Sequence, residues 1–281
     1  MVSRPEDRRP LAEGDFRAER SYLADHVFAI ALGGDPTPTD VVEEKAWEHI
    51  MHLPTDVLLR TTDYLGTMVT DMYEQGSGWV YATPTEAGNA PFMFDAALDT
   101  SDEFEAAPFI AMHGWYRQAT AALRNGLETM ATAAAFAVRG DSEAFRRWRE
   151  GSHDPKFGNA IDTLAADPHL RDVDQRLGSA GVFGRRPDGV ARMAYANLCR
   201  YAHGGPGHTN VDIWQSNGPV FVGKAFTQFW IDLCDTVALS YVLLKIGWPS
   251  LVLPDVARPL FGFADERWHG LGGKVEAEFF S

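Results

Sequence analysis

Cysteine is scarce in this chain: only Cys199 and Cys234 occur among 281 residues. Two cysteines so far apart match neither a zinc site nor a redox dithiol. Each lies in an apolar, helix-like context, where cysteine is usually a small buried side chain. Residues 1–10 are charged and lack the apolar core of a secretory signal. These absences predict a cytoplasmic protein in a reducing compartment.

The chain also lacks an uninterrupted hydrophobic run. Its most apolar long segment, residues 225–248, contains Gln228, Asp232, Asp235 and Lys245. Such side chains are costly in the hydrocarbon of a bilayer. The segment is therefore predicted to be a core helix, and no membrane association is expected.

Positive charge is in the minority. With 39 Asp and Glu against 25 Lys and Arg, the formal net charge is −14, so the averaged electrostatic field repels polyanions. Contact with a nucleic acid would require a local basic patch. The sequence has two short basic runs, Arg146-Arg147 with Arg149 and Arg185-Arg186, although such runs are more often solvated faces.

Motifs of several common enzyme classes are missing as well. No P-loop, dinucleotide-binding fingerprint, nucleophile elbow or zinc-protease helix occurs. Their absence argues against the common nucleotide-driven and hydrolytic classes. The composition is nevertheless that of a folded globular protein, with 45% hydrophobic and 23% charged residues.

Helical periodicity dominates what is present. Strand patterns are too few for alternating strands and helices, and no repeat occurs. The predicted fold is therefore an all-α helical bundle forming a single domain over residues 1–281, with N-terminal helices over 1–75, a helical core over 108–247 and a C-terminal tail over 248–281. The predicted helices cover residues 16–32, 40–53, 55–72, 109–138, 142–150, two short segments within 155–177, 191–203 and 224–246.

Two segments interrupt the helical pattern. Residues 76–107 are rich in Gly, Pro, Thr, Asn and Asp with aromatic residues between them. They predict a long loop, either a lid over a pocket or an ordered connection packed on the core. Residues 209–214 alternate polar and apolar side chains, and Asn217-Gly218 supplies a turn before residues 219–222, a pattern compatible with one small β-hairpin.

Cations and glycines concentrate where the predicted 191–203 helix ends. Arg200 and His203 are followed by three glycines, His208 and Asp212. Because histidine can transfer a proton near neutral pH and arginine can hold a phosphate, His203 and Arg200 are candidate catalytic residues. Two other interpretations stay open: His203 as a helix cap, and a metal site made of His203, His208 and Asp212. The prediction includes neither a metal nor another cofactor.

A second candidate site lies on the predicted 109–138 helix. Arg124 and Glu128 are four residues apart, which places them on one helix face where they can pair. They are either a structural ion pair or part of the catalytic set. Candidate substrate-binding residues are His208, Asp212, Tyr116 and Trp214.

Residues 114–128 (GWYRQATAALRNGLE) and 195–204 (YANLCRYAHG) together resemble the HEPN-like helical superfamily of bacterial defence and toxin proteins. The first segment is similar to a helix that carries an Arg and Glu pair in those families. The second is similar to their later helix, which ends in a histidine. The resemblance covers about residues 108–247 and implies an antiviral-defence, stress or toxin–antitoxin setting, with a homodimer or a partner protein.

The resemblance further implies a metal-independent ribonuclease in which an arginine stands a few residues before the histidine. In this chain the expected arginine positions hold Ala196-Asn197-Leu198, whereas Arg200 is too close to His203 and Arg192 too far from it. Either Arg124 or Arg200 replaces the missing arginine, or the protein is a silent relative that binds RNA, a nucleotide or a partner protein. The alternative function is a non-enzymatic helical interaction or scaffold protein.

Overall fold

A computed structural model describes residues 44–178, 181–184, 189–202 and 219–281. Contacts divide the chain into two compact units, Met1–Val57 and Leu58–Ser281. The described residues contain ten α-helices, two short 3-10 segments and no strand, which confirms the all-α prediction. The predicted helix over 16–32 and residues 209–218 of the predicted hairpin lie outside the described residues.

The helices are numbered here in chain order. They are α1 (Glu44–Ala82), α2 (Phe94–Met112), α3 (Tyr116–Arg139), α4 (Ser142–Arg149), α5 (Phe157–Ala166), α6 (Pro168–Leu177), α7 (Val190–Ala202), α8 (Gly223–Gly247), α9 (Arg258–Ala264) and α10 (Gly272–Phe280). The two 3-10 segments are Ala87–Asn89 and Asp255–Ala257.

Helix α3 is the central element of the second unit, packing against α2, α5, α7 and α8. Its buried face consists largely of alanine, with Gly126 in the same stripe. Small side chains allow neighbouring helices to approach closely: a Cβ on Gly126 would lie 3.2 Å from the Phe104 ring of α2. The helix ends as predicted at Arg139, where Gly140 adopts a left-handed φ of 63° and caps it.

The predicted long loop over residues 76–107 is wrong. Residues 76–82 continue α1 and residues 94–107 belong to α2, so only the intervening stretch around Ala87–Asn89 departs from α-helix. The glycines of this segment predict turns, but Gly78 is a packing position within α1, because a Cβ there would lie 2.5 Å from Val256 Cγ1. The aromatic residues face the core, with Trp79 and Phe104 fully buried.

Two helix boundaries also differ from the sequence prediction. Helix α1 continues through Pro54, where a break was predicted, and departs from helical geometry at Leu65 instead (φ −130°, ψ 27°). A proline can be accommodated within a bent helix. The predicted 109–138 helix is divided at Gly114, whose φ is 82°. A Cβ at Gly114 would lie 2.5 Å from Val220 N, so this turn requires glycine.

The C-terminal segment, predicted as a tail, forms two helices that pack within the second unit. Helices α9 and α10 pack on each other, α9 also packs against α8, and α10 contacts α6. Trp268 and Val275 are buried, and the Trp268 ring meets Phe261 edge to face at 6.1 Å. These buried apolar side chains explain why a segment with many glycines and prolines is ordered.

Candidate functional site

Arg124 and Glu128 form the predicted ion pair, and Tyr195 of α7 completes it. Arg124 Nη2 lies 3.2 Å from Glu128 Oε2. Arg124 donates to the Tyr195 hydroxyl through Nε (3.1 Å) and Nη2 (2.9 Å), and that hydroxyl donates to Glu128 Oε2 at 3.1 Å. We call these three residues the Arg124 cluster; it links α3 to α7.

The surroundings of the Arg124 cluster shift the pKa values of Arg124 and Tyr195. The side chains of Arg124 and Glu128 are only 24% and 29% exposed. Burial lowers the pKa of Arg124, but the hydrogen bond to Tyr195 and the charge of Glu128 raise it by more. Burial also raises the pKa of Tyr195 to about 12, an effect that Arg124 opposes and Glu128 reinforces. The phenol therefore stays protonated at neutral pH and can donate to the carboxylate.

Tyr195 was missed as a site residue by sequence reasoning, although it begins the second segment of the family resemblance. Its ring stacks on Phe157 of α5 with centroids 3.8 Å apart and planes 8° from parallel. The Arg124 guanidinium also lies over the same ring, 5.4 Å from its centroid. Stacking and hydrogen bonds together fix the phenol between three helices.

The other predicted catalytic residues do not join the Arg124 cluster among the residues described. Arg200 is exposed, and its charge acts on Asp232 and Tyr201 rather than on Arg124. His203, His208, Asp212 and Trp214 lie outside the described residues.

Tyr116, predicted to bind substrate, is built into the fold. The side chain is buried, and its hydroxyl accepts a hydrogen bond from the Val222 backbone N–H at 3.0 Å. Burial raises the pKa of Tyr116 to about 12, against the opposing effect of that hydrogen bond. The residue thus ties the start of α3 to the segment that leads into α8.

Two of the three arginines in the basic run on α4, Arg146 and Arg149, form ion pairs within the protein. Arg146 contacts Glu143 at 2.7 Å and Glu150 at 2.5 Å, and Arg149 pairs with Asp95 and Asp99 of α2. This arrangement agrees with a solvated face of intramolecular ion pairs more than with a surface for nucleic-acid phosphates. Arg185 and Arg186, the second run, lie outside the described residues.

An apolar groove between α1 and α2 was not foreseen from the sequence. Its cavity has a volume of about 720 Å³, within the range of about 300 to 1,000 Å³ that is typical of ligand pockets. The floor consists of buried and half-buried apolar side chains. They are Leu58 and Met72 from α1 and Phe104, Pro108 and Met112 from α2.

The rim of this groove combines exposed aromatic and acidic side chains. Tyr73 is 74% exposed and Phe109 is 65% exposed, while Asp102 and Glu105 are exposed beside them. At the end of α2, the His113 ring donates through Nδ1 to Phe109 O at 2.7 Å. Phe104, Pro108 and Met112 recur every four residues, a helical spacing in the sequence that could have indicated this face.

A third feature is a buried carboxyl group on α8. Asp232 is 6% exposed; its Oδ1 accepts from Gln228 Nε2 at 3.0 Å, whereas its buried Oδ2 has no hydrogen-bond partner among the described residues. Burial raises the pKa of Asp232 to about 7, opposed by the Gln228 hydrogen bond. Nearby, Asp235 is paired with Arg267 at 2.5 Å and 2.8 Å.

No metal site or membrane span is found in the described ranges. No three His, Cys, Asp or Glu residues there are grouped so that they could hold a metal ion. None of the helices in those ranges is both long and apolar enough to cross a membrane. Comparison of the chain with protein-family models, curated proteins and solved structures finds no match.

Proposed function

We propose that this chain is a helical protein-interaction module whose binding surface is the groove between α1 and α2. The observation that carries the proposal is an open cavity of about 720 Å³ with an apolar floor and exposed aromatic side chains at its rim. Apolar surface of this kind, bordered by polar residues, typically marks an interaction site.

The arrangement of charged groups elsewhere supports the same function. Arg124 is held by Glu128 and Tyr195, and Arg146 is held by Glu143 and Glu150. Guanidinium groups already bonded to carboxylates have little capacity left for a substrate phosphate. These clusters therefore act mainly on the fold, and the groove provides the surface for a partner.

A fluorescent amphipathic peptide of about five helical turns, with leucine on one face and glutamine on the other, tests this proposal. Binding is measured by fluorescence anisotropy. Ala106 is an exposed residue in the groove lining, so Ala106→Trp fills the groove and should abolish binding. Leu98→Trp is the matched control, because Leu98 is 46% exposed on the same helix but outside the lining. Equal binding by both variants contradicts the proposal.

A second candidate function is the RNA-directed activity that the HEPN-like resemblance implies. The course of α7 favours it, because the helix continues from Tyr195 to Ala202, immediately before His203 in the sequence. Arg124 or Arg200 then contacts a phosphate and His203 transfers the proton. In this function the protein acts as a metal-independent ribonuclease, or binds RNA or a nucleotide without cleaving it.

Incubation of purified protein with RNA tests this second function, with wild type beside His203→Ala. Cleavage in the presence of a chelator that is lost in the variant supports the enzyme. Equal cleavage in both samples indicates a contaminating nuclease, and cleavage in neither removes the enzymatic proposal. Anisotropy of labelled RNA on the same samples tests binding without cleavage.

A further inference from the structure

We infer that the partner held by the groove is a cationic amphipathic helix, with apolar anchors on the floor and Lys or Arg side chains across the rim. This inference rests on the proposed function and specifies the partner's chemistry. It is carried by the distribution of charge in the α1–α2 region, and by the helical walls of the groove.

Residues 61–115 contain nine acidic residues and no Lys or Arg. We call this segment the acidic hairpin; it comprises the later part of α1, all of α2 and their connection. The chain as a whole has a formal charge of −14, so one fifth of the residues carries most of the excess. The acidic residues are Asp63, Asp71, Glu74, Glu86, Asp95, Asp99, Asp102, Glu103 and Glu105.

Most of these carboxylates form no ion pair with another described residue. Among the described residues, the ion pairs of the acidic hairpin are those of Asp95 and Asp99 with Arg149, on the side toward α4. Asp102 and Glu105, which line the groove, form no ion pair with any described residue. A partner that brings positive charge to this rim therefore gains attraction without first breaking an internal pair.

The geometry favours a helix as the occupant. The walls are the helices α1 and α2, so the groove offers no strand edge with which an extended peptide could pair. A helix satisfies its own backbone and presents side chains every three to four residues. Along α1 the groove lining extends from Leu58 to Ser77, on both sides of the departure from helical geometry at Leu65.

The rim aromatics suit the same partner. Tyr73 and Phe109 expose their rings beside the carboxylates, and Lys or Arg binds favourably over an aromatic face. Methionine at the floor, Met72 and Met112, adapts to differently shaped apolar anchors. A second copy of this chain is a poor occupant through this face, because two acidic rims would repel each other.

Three peptides with the same leucine stripe and with Lys, Gln or Glu on the polar face test the inference. The Lys peptide should bind tightest and the Glu peptide weakest. Raising NaCl from about 50 to about 300 mM should weaken the Lys peptide selectively, because salt screens exposed charges. The double variant Asp102→Asn, Glu105→Gln should weaken the Lys peptide roughly three- to tenfold and leave the Gln peptide unchanged.

Glu143→Gln with Glu150→Gln is the matched control, because it removes two exposed carboxylates on α4, away from the groove lining. Equal binding of the Lys and Gln peptides, both blocked by Ala106→Trp, overturns the inference and leaves the interaction module standing. Binding of none of the peptides overturns the proposed function itself. A dimer of the protein alone that Ala106→Trp dissociates would overturn the inference by identifying a second copy as the occupant.

Discussion

The acidic hairpin and the α3–α7–α8 region use charge in opposite ways. In the second region, charged side chains have partners: Arg124 bonds Glu128 of the same helix and Tyr195 of α7, and Asp235 of α8 bonds Arg267, which follows α9. In the acidic hairpin, Asp102 and Glu105 have no such partner among the described residues. Charge that is paired internally stabilises the native arrangement, whereas unpaired charge at the surface is available to another molecule.

Apolar side chains show the same contrast. Six of the eight large hydrophobic residues that are exposed among those described belong to the acidic hairpin. They are Tyr64, Tyr73, Val80, Tyr81, Leu98 and Phe109. Exposed apolar surface bordered by polar residues typically marks an interaction site, so the difference between the regions supports different roles for them. One region maintains the fold and the other meets a partner.

The largest expected effect comes from removing the side chain that joins the two regions. Trp79 of α1 is fully buried, meets the rings of Phe104 and Tyr241 at 5.1 Å each, and donates from Nε1 to Ala97 O at 3.1 Å. Trp79→Ala leaves a cavity and removes one hydrogen bond to Ala97 O, which still accepts from Ser101 Oγ. We expect the free energy of unfolding to fall by about 3 to 5 kcal/mol, measured by denaturant titration.

Tyr81→Ala provides the control for this prediction, because Tyr81 lies two residues after Trp79 on α1 and is 88% exposed. Its replacement should leave the unfolding free energy within experimental error. Similar losses of unfolding free energy in Trp79→Ala and Tyr81→Ala would show that the buried contacts of Trp79 do not stabilise the acidic hairpin.

The buried carboxyl of Asp232 gives the next largest effect, and it depends on pH. Its folded pKa is raised to about 7, so between about pH 4 and 7 the native state keeps a proton that the unfolded state has released. The unfolded state then binds fewer protons, and stability falls as pH rises through this window. Asp232→Asn cannot ionise, and it should remove this fall, a difference of about 4 kcal/mol by pH 8.

The measurement is the unfolding free energy of wild type and Asp232→Asn at several pH values from 4 to 8. Asp235, Arg267 and Arg200 contribute to the field at this carboxyl and are present in both proteins, so the difference between the two profiles isolates Asp232. Asp63→Asn, an exposed replacement of the same type, should run parallel to wild type. A parallel profile for Asp232→Asn as well would rule out the buried proton.

The Arg124 cluster should show a smaller, pairwise effect. Arg124→Ala removes both donors from the Tyr195 hydroxyl and the cation from Glu128. Leaving half-buried polar groups without partners costs about 1 to 3 kcal/mol. A double-mutant cycle with Tyr195→Phe, which keeps the ring on Phe157, should reveal coupling between the two residues.

The exposed pairs of Arg146 supply the contrast for this cycle. Arg146 bonds Glu143 within α4 and Glu150 directly after it, and all three side chains are exposed to water. Arg146→Ala should leave stability unchanged within error, because exposed ion pairs contribute little. A vanishing coupling energy between Arg124 and Tyr195 would mean that the Arg124 cluster does not hold α7 on α3.

Helices with regular apolar spacing were predictable from the sequence. Asp141, a residue type that often caps helices, accepts a hydrogen bond from Ala144 N at 2.9 Å. Gly140, directly after Arg139, ends α3 in the way that glycine commonly ends helices. Arg124 and Glu128 were placed correctly on one face, because four-residue spacing in a helix determines that placement. Local chemistry was sufficient for each of these features.

Features that depend on contacts distant in sequence were not predictable in the same way. Position 78 of α1 holds a glycine because Val256, far along the chain, leaves no room there for a side chain. Gly114 divides a long apolar pattern because the backbone of Val220 lies against it. Tyr195 is important through its position opposite Arg124, and no spacing rule relates those two positions. The groove was hidden by the incorrect loop, although the absence of Lys and Arg was visible in the sequence.

The smallest effect distinguishes paired from unpaired carboxylates within the acidic hairpin itself. Glu105→Gln removes a negative charge that lies among other negative charges, so it should raise stability by about half a kcal/mol or less at low salt. Asp99→Asn removes a carboxylate bonded to Arg149, so it should not stabilise. Added salt should erase the gain in Glu105→Gln, because it screens the repulsion that the substitution relieves. Thermal melts of both variants at about 20 and 500 mM NaCl measure this difference. A gain that survives high salt would assign the effect to helix propensity, and the groove would then carry no electrostatic strain for a cationic partner to relieve.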